Sequence, residues 1–240
     1  MSFGEAGTLR FLSFNIHGCV GRGGRESAGP VLEVIRRCNA DVVALQEVYD
    51  HDEETHSFLR GLERFDYTSI LYGPTMRRHP GSYGNILMSR LPVIEEERID
   101  LSMDEAEPRG AIRALLQKGG GKIGVVGTHL GLASFERNKQ LERLRALRGI
   151  TPSQGEADLR LLMGDLNEWW YWSRNMRAFR RDFPVRSKCR TFPAVFPLFP
   201  LDRISVSGEF SNARFTSPRF REARIASDHR PVLAEIAPAF

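Results

Sequence analysis

Cysteine is scarce: Cys19, Cys38 and Cys189 are odd in number, widely spaced and without a CxxC pair, which excludes a disulfide framework and a zinc knuckle. No stretch approaches the ~18 consecutive apolar residues of a membrane-spanning helix, and residues 1–7 lack the basic-then-apolar pattern of an export signal. Lysine is nearly absent, with only Lys118, Lys122, Lys139 and Lys188, so the net charge of +4 and the pI near 9.2 rest on arginine, whose planar fork suits phosphate. No fixed-period repeat occurs, and no Gly-Lys-Ser/Thr follows any glycine-rich stretch, so a nucleotide P-loop is missing. What remains is ordinary globular material, 41% hydrophobic with 22 glycines in 240 residues, which excludes disorder and a collagen repeat. A single domain over residues 1–240, monomeric and cytoplasmic, is expected.

Periodicity supplies the elements. Strands are expected at residues 9–17, 41–46, 85–89, 93–101, 111–117, 123–129, 159–163, 202–206 and 231–236, with a glycine turn at 119–121 joining two of them into a hairpin. Helices are expected at 30–38, 134–148 and 172–182, and the arginine-rich stretch between the last two strands reads as loop and edge structure. Strand-helix-strand units mixed with hairpins imply mixed sheets whose outer faces need helices, that is, an α/β layered sandwich.

Five apolar strands run out into a carboxylate, an amide or a histidine: Phe14-Asn15-Ile16-His17, Leu45-Gln46-Glu47, Gly127-Thr128-His129-Leu130, Gly164-Asp165-Leu166-Asn167 and Ser227-Asp228-His229. Taken singly each has a plain structural reading: Glu47 as a satisfied strand-end carboxylate, His129 as a core histidine, Asp165 before Asn167 as a turn or cap. Together they form a set of oxygen ligands with two histidines and no cysteine. Such a set suits the hard cation Mg²⁺ or Mn²⁺ rather than zinc, and it suits phosphoester chemistry.

With these segments in this order the chain resembles the endonuclease/exonuclease/phosphatase superfamily, which includes pancreatic deoxyribonuclease, abasic-site endonucleases, sphingomyelinases and inositol-phosphate 5-phosphatases. The resemblance spans nearly the whole chain. It is carried by Phe14-Asn15, Gln46-Glu47, Gly84-Asn85-Ile86-Leu87 with Ser89-Arg90, Arg109, Thr128-His129-Leu130, Gly164-Asp165-Leu166-Asn167, Leu201-Asp202-Arg203-Ile204 and Ser227-Asp228-His229-Arg230-Pro231. Thr191-Phe192-Pro193-Ala194 ahead of Leu201 looks like small, uncharacterised bacterial members named only as metal-dependent hydrolases.

The resemblance implies a four-layered α/β sandwich, two mixed sheets face to face with helices outside, and a cleft where both sheets present strand ends. It implies Mg²⁺ (or Mn²⁺) on Glu47, with Asn15 and Asp228 in the same shell or bridged by water. Asp165 is expected as general base on a water that Asn167 positions, and His229, oriented by Asp202, as stabiliser of the pentacoordinate transition state. His129 would share that task or protonate the leaving oxygen. Arg109 is expected to hold phosphate, its alternative being an exposed loop arginine. In the deoxyribonuclease branch a glutamate orients the histidine matching His129; near that position this sequence offers Asn85, assigned with Arg109 to the substrate side.

Two runs stand outside this set. Glu168-Trp169-Trp170-Tyr171-Trp172 reads either as rings that stack bases or dip into lipid, with Arg174, Arg177, Arg180 and Arg181 meeting phosphates, or as a buried stripe of Trp172, Met176, Phe179 and Phe183. Residues 192–200, alternating Phe and Pro, read as a rigid loop over the sheet edge or as a cleft wall. Gly21-Arg22-Gly23-Gly24 reads as a flexible loop within reach of substrate, since the last glycine of GxGxxG is missing. The expected activity is phosphodiester hydrolysis on DNA or RNA. The alternatives are a phospholipid phosphodiesterase, with peripheral lipid contact, or a phosphomonoesterase. A non-catalytic nucleic-acid- or protein-binding descendant would tolerate loss of a ligand or the base, and none is lost.

Overall fold

The computed structural model describes residues 7–24, 26–50, 57–78, 81–147, 157–169 and 175–240. Two six-stranded sheets lie face to face. The first has the order β11 (Phe210–Thr216), β12 (Val232–Pro238), β1 (Leu9–Asn15), β2 (Val42–Asp50), β4 (Gly81–Ser89), β3 (Ser69–Arg78). The second runs β5 (Val93–Asp100), β6 (Gly110–Lys118), β7 (Gly121–His129), β8 (Leu159–Asp165), β10 (Asp202–Gly208), β9 (Val185–Arg186). β1 pairs parallel with β2 and β7 with β8, each crossover carrying a helix, while the remaining pairs are antiparallel.

Three apolar clusters fill the three gaps of a four-layer α/β sandwich. Between the sheets lie Phe11, Val42, Ala44, Leu87, Val125, Leu161, Met163, Ile204 and Val232. Outside the first sheet, Leu12, Phe14, Val43 and Leu45 pack on α1 (Ala28–Cys38), α2 (Ser57–Leu62) and α5 (Arg221–Ile225). Outside the second, Val126 and Leu162 pack on α3 (Ser134–Arg145) and α4 (Asn175–Asp182). Helix α1 shows why: Val31, Val34, Ile35 and Cys38 share one face, and the helix ends where Asn39 turns left-handed at φ 45° with its N–H on Ile35 O. The sheets approach closely at Gly127, where an added Cβ would lie 3.3 Å from Ala44 Cβ.

Several expected boundaries move. The first strand stops at Asn15 because His17 takes φ 48° and opens a short 3-10 turn, His17–Cys19. The second runs on to Asp50 through a bulge, since Leu45 faces Ile86 but Val48 faces Gly84. The expected helix start at Trp172 lies outside the described residues, and α4 is seen from Asn175; α3 ends at Arg145 with Ala146 as its cap, short of the expected Arg148. The stripe of Met176, Phe179 and Phe183 is fully buried. Strands β3, β9 and β11 and helices α2 and α5 have no counterpart in the periodicity, although β11 falls in the stretch read as edge structure. No described helix is long and apolar enough to cross a membrane.

Candidate active site

The alternate positions that build the inter-sheet core turn polar at one end of the sandwich. Phe11 is followed on that face by Ser13 and Asn15, Ala44 by Gln46, Val125 by Gly127 and His129, Met163 by Asp165, while Ile204 is preceded by Asp202. Glu47 would point to the outer face in a regular strand. The bulge and its own φ of 55° bring it instead to Asn15, whose Nδ2 donates to Glu47 Oε1 at 2.9 Å and to Asp165 Oδ2 at 3.1 Å. Two carboxylates from opposite sheets thus share one amide. Ser227 donates to Asn15 O at 2.8 Å and accepts from His229 N at 3.1 Å, which anchors the last motif beside the first strand.

Asp165 sits at the end of β8, paired with His129 on one side and Asp202 on the other. Gly164, at φ 151°, lets it approach, because a Cβ there would fall 1.9 Å from Thr128 O. Gly164→Ala is therefore expected to destabilise by about 2–4 kcal/mol, read as a lower urea midpoint; an unchanged midpoint would remove this account of the glycine. Asp165 Oδ1 accepts from Asn167 N at 2.8 Å, leaving Oδ2 toward the histidines, 3.6 Å from His129 Nε2 and 3.7 Å from His229 Nε2.

The two imidazoles have opposite surroundings. His229 Nδ1 lies 2.7 Å from Asp202 Oδ2. Burial works against its charge, but the carboxylates of Asp202, Asp165 and Asp228 overcome this and hold its pKa up to about 10. His129 is met by N–H groups on both sides, Arg109 Nη1 at 3.2 Å from Nδ1 and Asn167 Nδ2 at 3.0 Å from Nε2. Burial pushes its pKa down to about 3 despite Asp165, and Arg109 and His229 add to the fall. One ring is an imidazolium, the other neutral.

Asn15, Glu47, His129, Asp165, Asn167, Asp202 and His229 are thus joined by a continuous set of contacts. Asp228 stands one step out: it is exposed, with Oδ1 at 3.6 Å from His17 Nδ1 and 3.3 Å from Ser227 Oγ. Arg109 is not an exposed loop arginine; it is 5% exposed and bonds Glu107 Oε1 at 2.9 Å beneath His129. The group at His129 Nδ1 is therefore Arg109 and not Asn85, whose Nδ2 donates to Gly110 O at 3.0 Å.

Sequence reasoning assigned no individual role to five further side chains. His17 meets Asp228, Tyr83 hydrogen-bonds Glu47, and the Phe192 ring lies 4.8 Å from that of His229. The buried pair Arg137–Glu168, at 3.4 Å, ties α3 to the segment after Asn167. Only His17 carried a signal, its place two residues after Asn15 in the first strand-end segment.

A hard cation fits this donor set. Glu47, Asp165 and Asn15 offer oxygens at one end of the sandwich, and the Asn15 amide that the two carboxylates share carries no charge to balance them. Asp165, Asp202 and His229 also bring ligand-type atoms within 4.8 Å of one another. That trio suits a metal less well, because a protonated His229 has no lone pair to give.

Residues 12–229 match the Endonuclease/Exonuclease/phosphatase family. The chain is 32% identical to Escherichia coli (strain K12) "Uncharacterized protein YbhP" over 248 aligned residues, covering 95% of this chain and 96% of that one. An endonuclease/exonuclease/phosphatase structure from Beutenbergia cavernae superposes with a TM-score of 0.75 at 21% identity, covering 97% of this chain and 72% of that chain. Truncated Caenorhabditis elegans TDP2 gives 0.71 at 20% identity over 96% of this chain and 97% of its own. A mannosyl-6-phosphatase from Bacteroides thetaiotaomicron gives 0.71 at 18% identity, over 95% and 99%.

Proposed function

Since the chain belongs to the endonuclease/exonuclease/phosphatase family, and so among hydrolases of phosphoester bonds, we propose that it is a Mg²⁺- or Mn²⁺-dependent phosphodiesterase acting on nucleic acid. The observation that carries this reading is the meeting of Glu47 and Asp165 at the Asn15 amide, opposite the imidazolium of His229. Glu47, Asn15 and Asp228 would hold the metal, directly or through water; when bound it supplies positive charge to neutralise phosphoryl oxygens.

This chain's own groups do the rest. Asp165 Oδ2, with Oδ1 engaged by Asn167 N–H, takes the proton of the attacking water, and the Asn167 side chain helps to position that water. His229 donates from Nε2 to a phosphoryl oxygen of the pentacoordinate centre and can pass a proton to the leaving oxygen, Asp202 keeping it charged and oriented. Burial, with the charges of Arg109 and His229 beside it, keeps His129 uncharged, so it serves as a polar neighbour of Asp165 rather than as the acid.

Net charge of +4 favours an anionic polymer as substrate. One observation favours lipid phosphodiesters instead. Val195, Phe196 and Leu198 are 50%, 71% and 46% exposed at the tip of a hairpin whose base, bridged Phe192 to Phe199, packs on His229. A panel separates the readings: plasmid and single-stranded DNA, RNA, phospholipids, inositol phosphates and a chromogenic phosphodiester, each with Mg²⁺ or EDTA. Turnover of DNA or RNA in Mg²⁺ and none in EDTA is expected. Turnover of phospholipid or phosphomonoester alone would reassign the substrate, and no metal-dependent turnover of any substrate would overturn the enzyme reading.

A further inference from the structure

Arg230, the residue after His229, is 9% exposed, yet no carboxylate among the described residues forms an ion pair with it. Its Nε donates to Ala194 O at 2.6 Å and its backbone N–H to Thr191 O at 2.9 Å, so the stem is fixed while the Nη fork has no partner among the described residues. The fork faces a cavity of about 620 Å³ between edge strand β11 of one sheet and the residues that follow edge strand β9 of the other. Lys188, Arg190 and Arg219 line it with Arg230, and no carboxylate does. The Ser217 hydroxyl, also on this wall, is buried without a hydrogen-bond partner. Burial and the like charges of Arg224 and Arg219 push the Arg230 pKa below its ordinary value, as expected of a cation lacking its counter-charge.

A guanidinium whose stem is buried and whose fork opens on a cavity lined by further cations and by no carboxylate is a ready partner for an anion. We propose that this cavity is a second phosphate site, occupied by a backbone phosphate of the nucleic-acid strand whose scissile diester lies at Asp165 and His229. The proposal rests on the nuclease reading above. The two sites are linked through consecutive residues, His229 turned to the strand-end cluster and Arg230 to the cavity, and the same hairpin base contacts both through Phe192 and Ala194. The cavity is larger than one phosphate needs, which suits a phosphate entering with its sugar. Arginine's fork reads two oxygens of such a group at once.

The test compares the Mg²⁺-loaded protein with Arg230→Gln and with the exposed Arg219→Ala, which keeps the question open where Arg230→Gln fails to fold. Substrates are a single-stranded 12-mer and a small chromogenic diester too short to reach the cavity. On the 12-mer, KM should rise about tenfold in each variant with kcat kept, and the slope of log KM against log salt should fall by about one. Constants for the small diester should not move. Equal losses on both substrates, or no change on the 12-mer, would overturn the site. Titration with inorganic pyrophosphate separates the two claims. Binding that both variants lose supports a phosphate site even if DNA is never cleaved, whereas DNA cleavage indifferent to both arginines sinks the site and spares the nuclease reading. Binding to anionic vesicles lost in Arg219→Ala, with 12-mer kinetics intact, would give the cavity to a lipid headgroup and overturn the proposed occupant.

Discussion

Replacing Asp165 by asparagine is expected to lower kcat on a chromogenic phosphodiester by about 10²–10⁴-fold, with the thermal midpoint within roughly five degrees of wild type. Asparagine keeps the shape and keeps an acceptor for the Asn167 N–H, so the turn after β8 persists. What changes is the other atom. Oδ2 becomes an amide that cannot accept a proton, and it faces the Asn15 amide, where two N–H groups now oppose each other. The first effect acts on the reaction and the second, worth about 1 kcal/mol, on stability. A variant within tenfold of wild-type kcat would remove Asp165 as the base.

Asp202→Asn is expected to cost about 10²–10³ in kcat and to lower the thermal midpoint by several degrees. Asp202 is wholly buried, and its second oxygen has no hydrogen-bond partner. Its pairing with the His229 imidazolium offsets that burial, so removing the charge breaks a buried ion pair and costs stability. Its function is to charge His229. Without the carboxylate at 2.7 Å, burial is the largest remaining influence on the ring, the imidazolium is no longer held, and the positive donor toward phosphorus is lost. A fall in midpoint with kcat unchanged would reverse this account and make the pair structural.

Much of the site was legible because it lies where period-two patterning changes character. Asn15, His129 and Asp165 all occupy positions that belong to the core a step or two earlier, so an apolar run ending in a polar residue located each of them, whereas Asp202, at the start of its strand, was named through the family resemblance. The strands that escaped notice sit at sheet edges: β3 contains Gly73-Pro74, and β11, Phe-Ser-Asn-Ala-Arg-Phe-Thr, does not alternate. What a segment alone does not display is direction and burial. Arg109 reads as a phosphate ligand or an exposed loop arginine, and nothing in one chain segment says that another will cover it. Glu47 reaches the centre through a bulge, a relation between two strands that neither segment displays. His17 drew no role for the same reason, since its left-handed backbone and its carboxylate partner exist only in the fold.

The contact between Gly127 and Ala44 acts as a spacer. Asn15 and Glu47 belong to one slab, His129, Asp165 and Asp202 to the other, so the reach between the Glu47 and Asp165 carboxylates is set by the thickness of the packing at that point, two positions beneath His129. A single methyl at Gly127 works as a wedge, prising apart groups that no loop holds together. Catalytic distance in this molecule is thereby tuned by side-chain volume in the interior, and activity becomes a gauge of how tightly its two halves close.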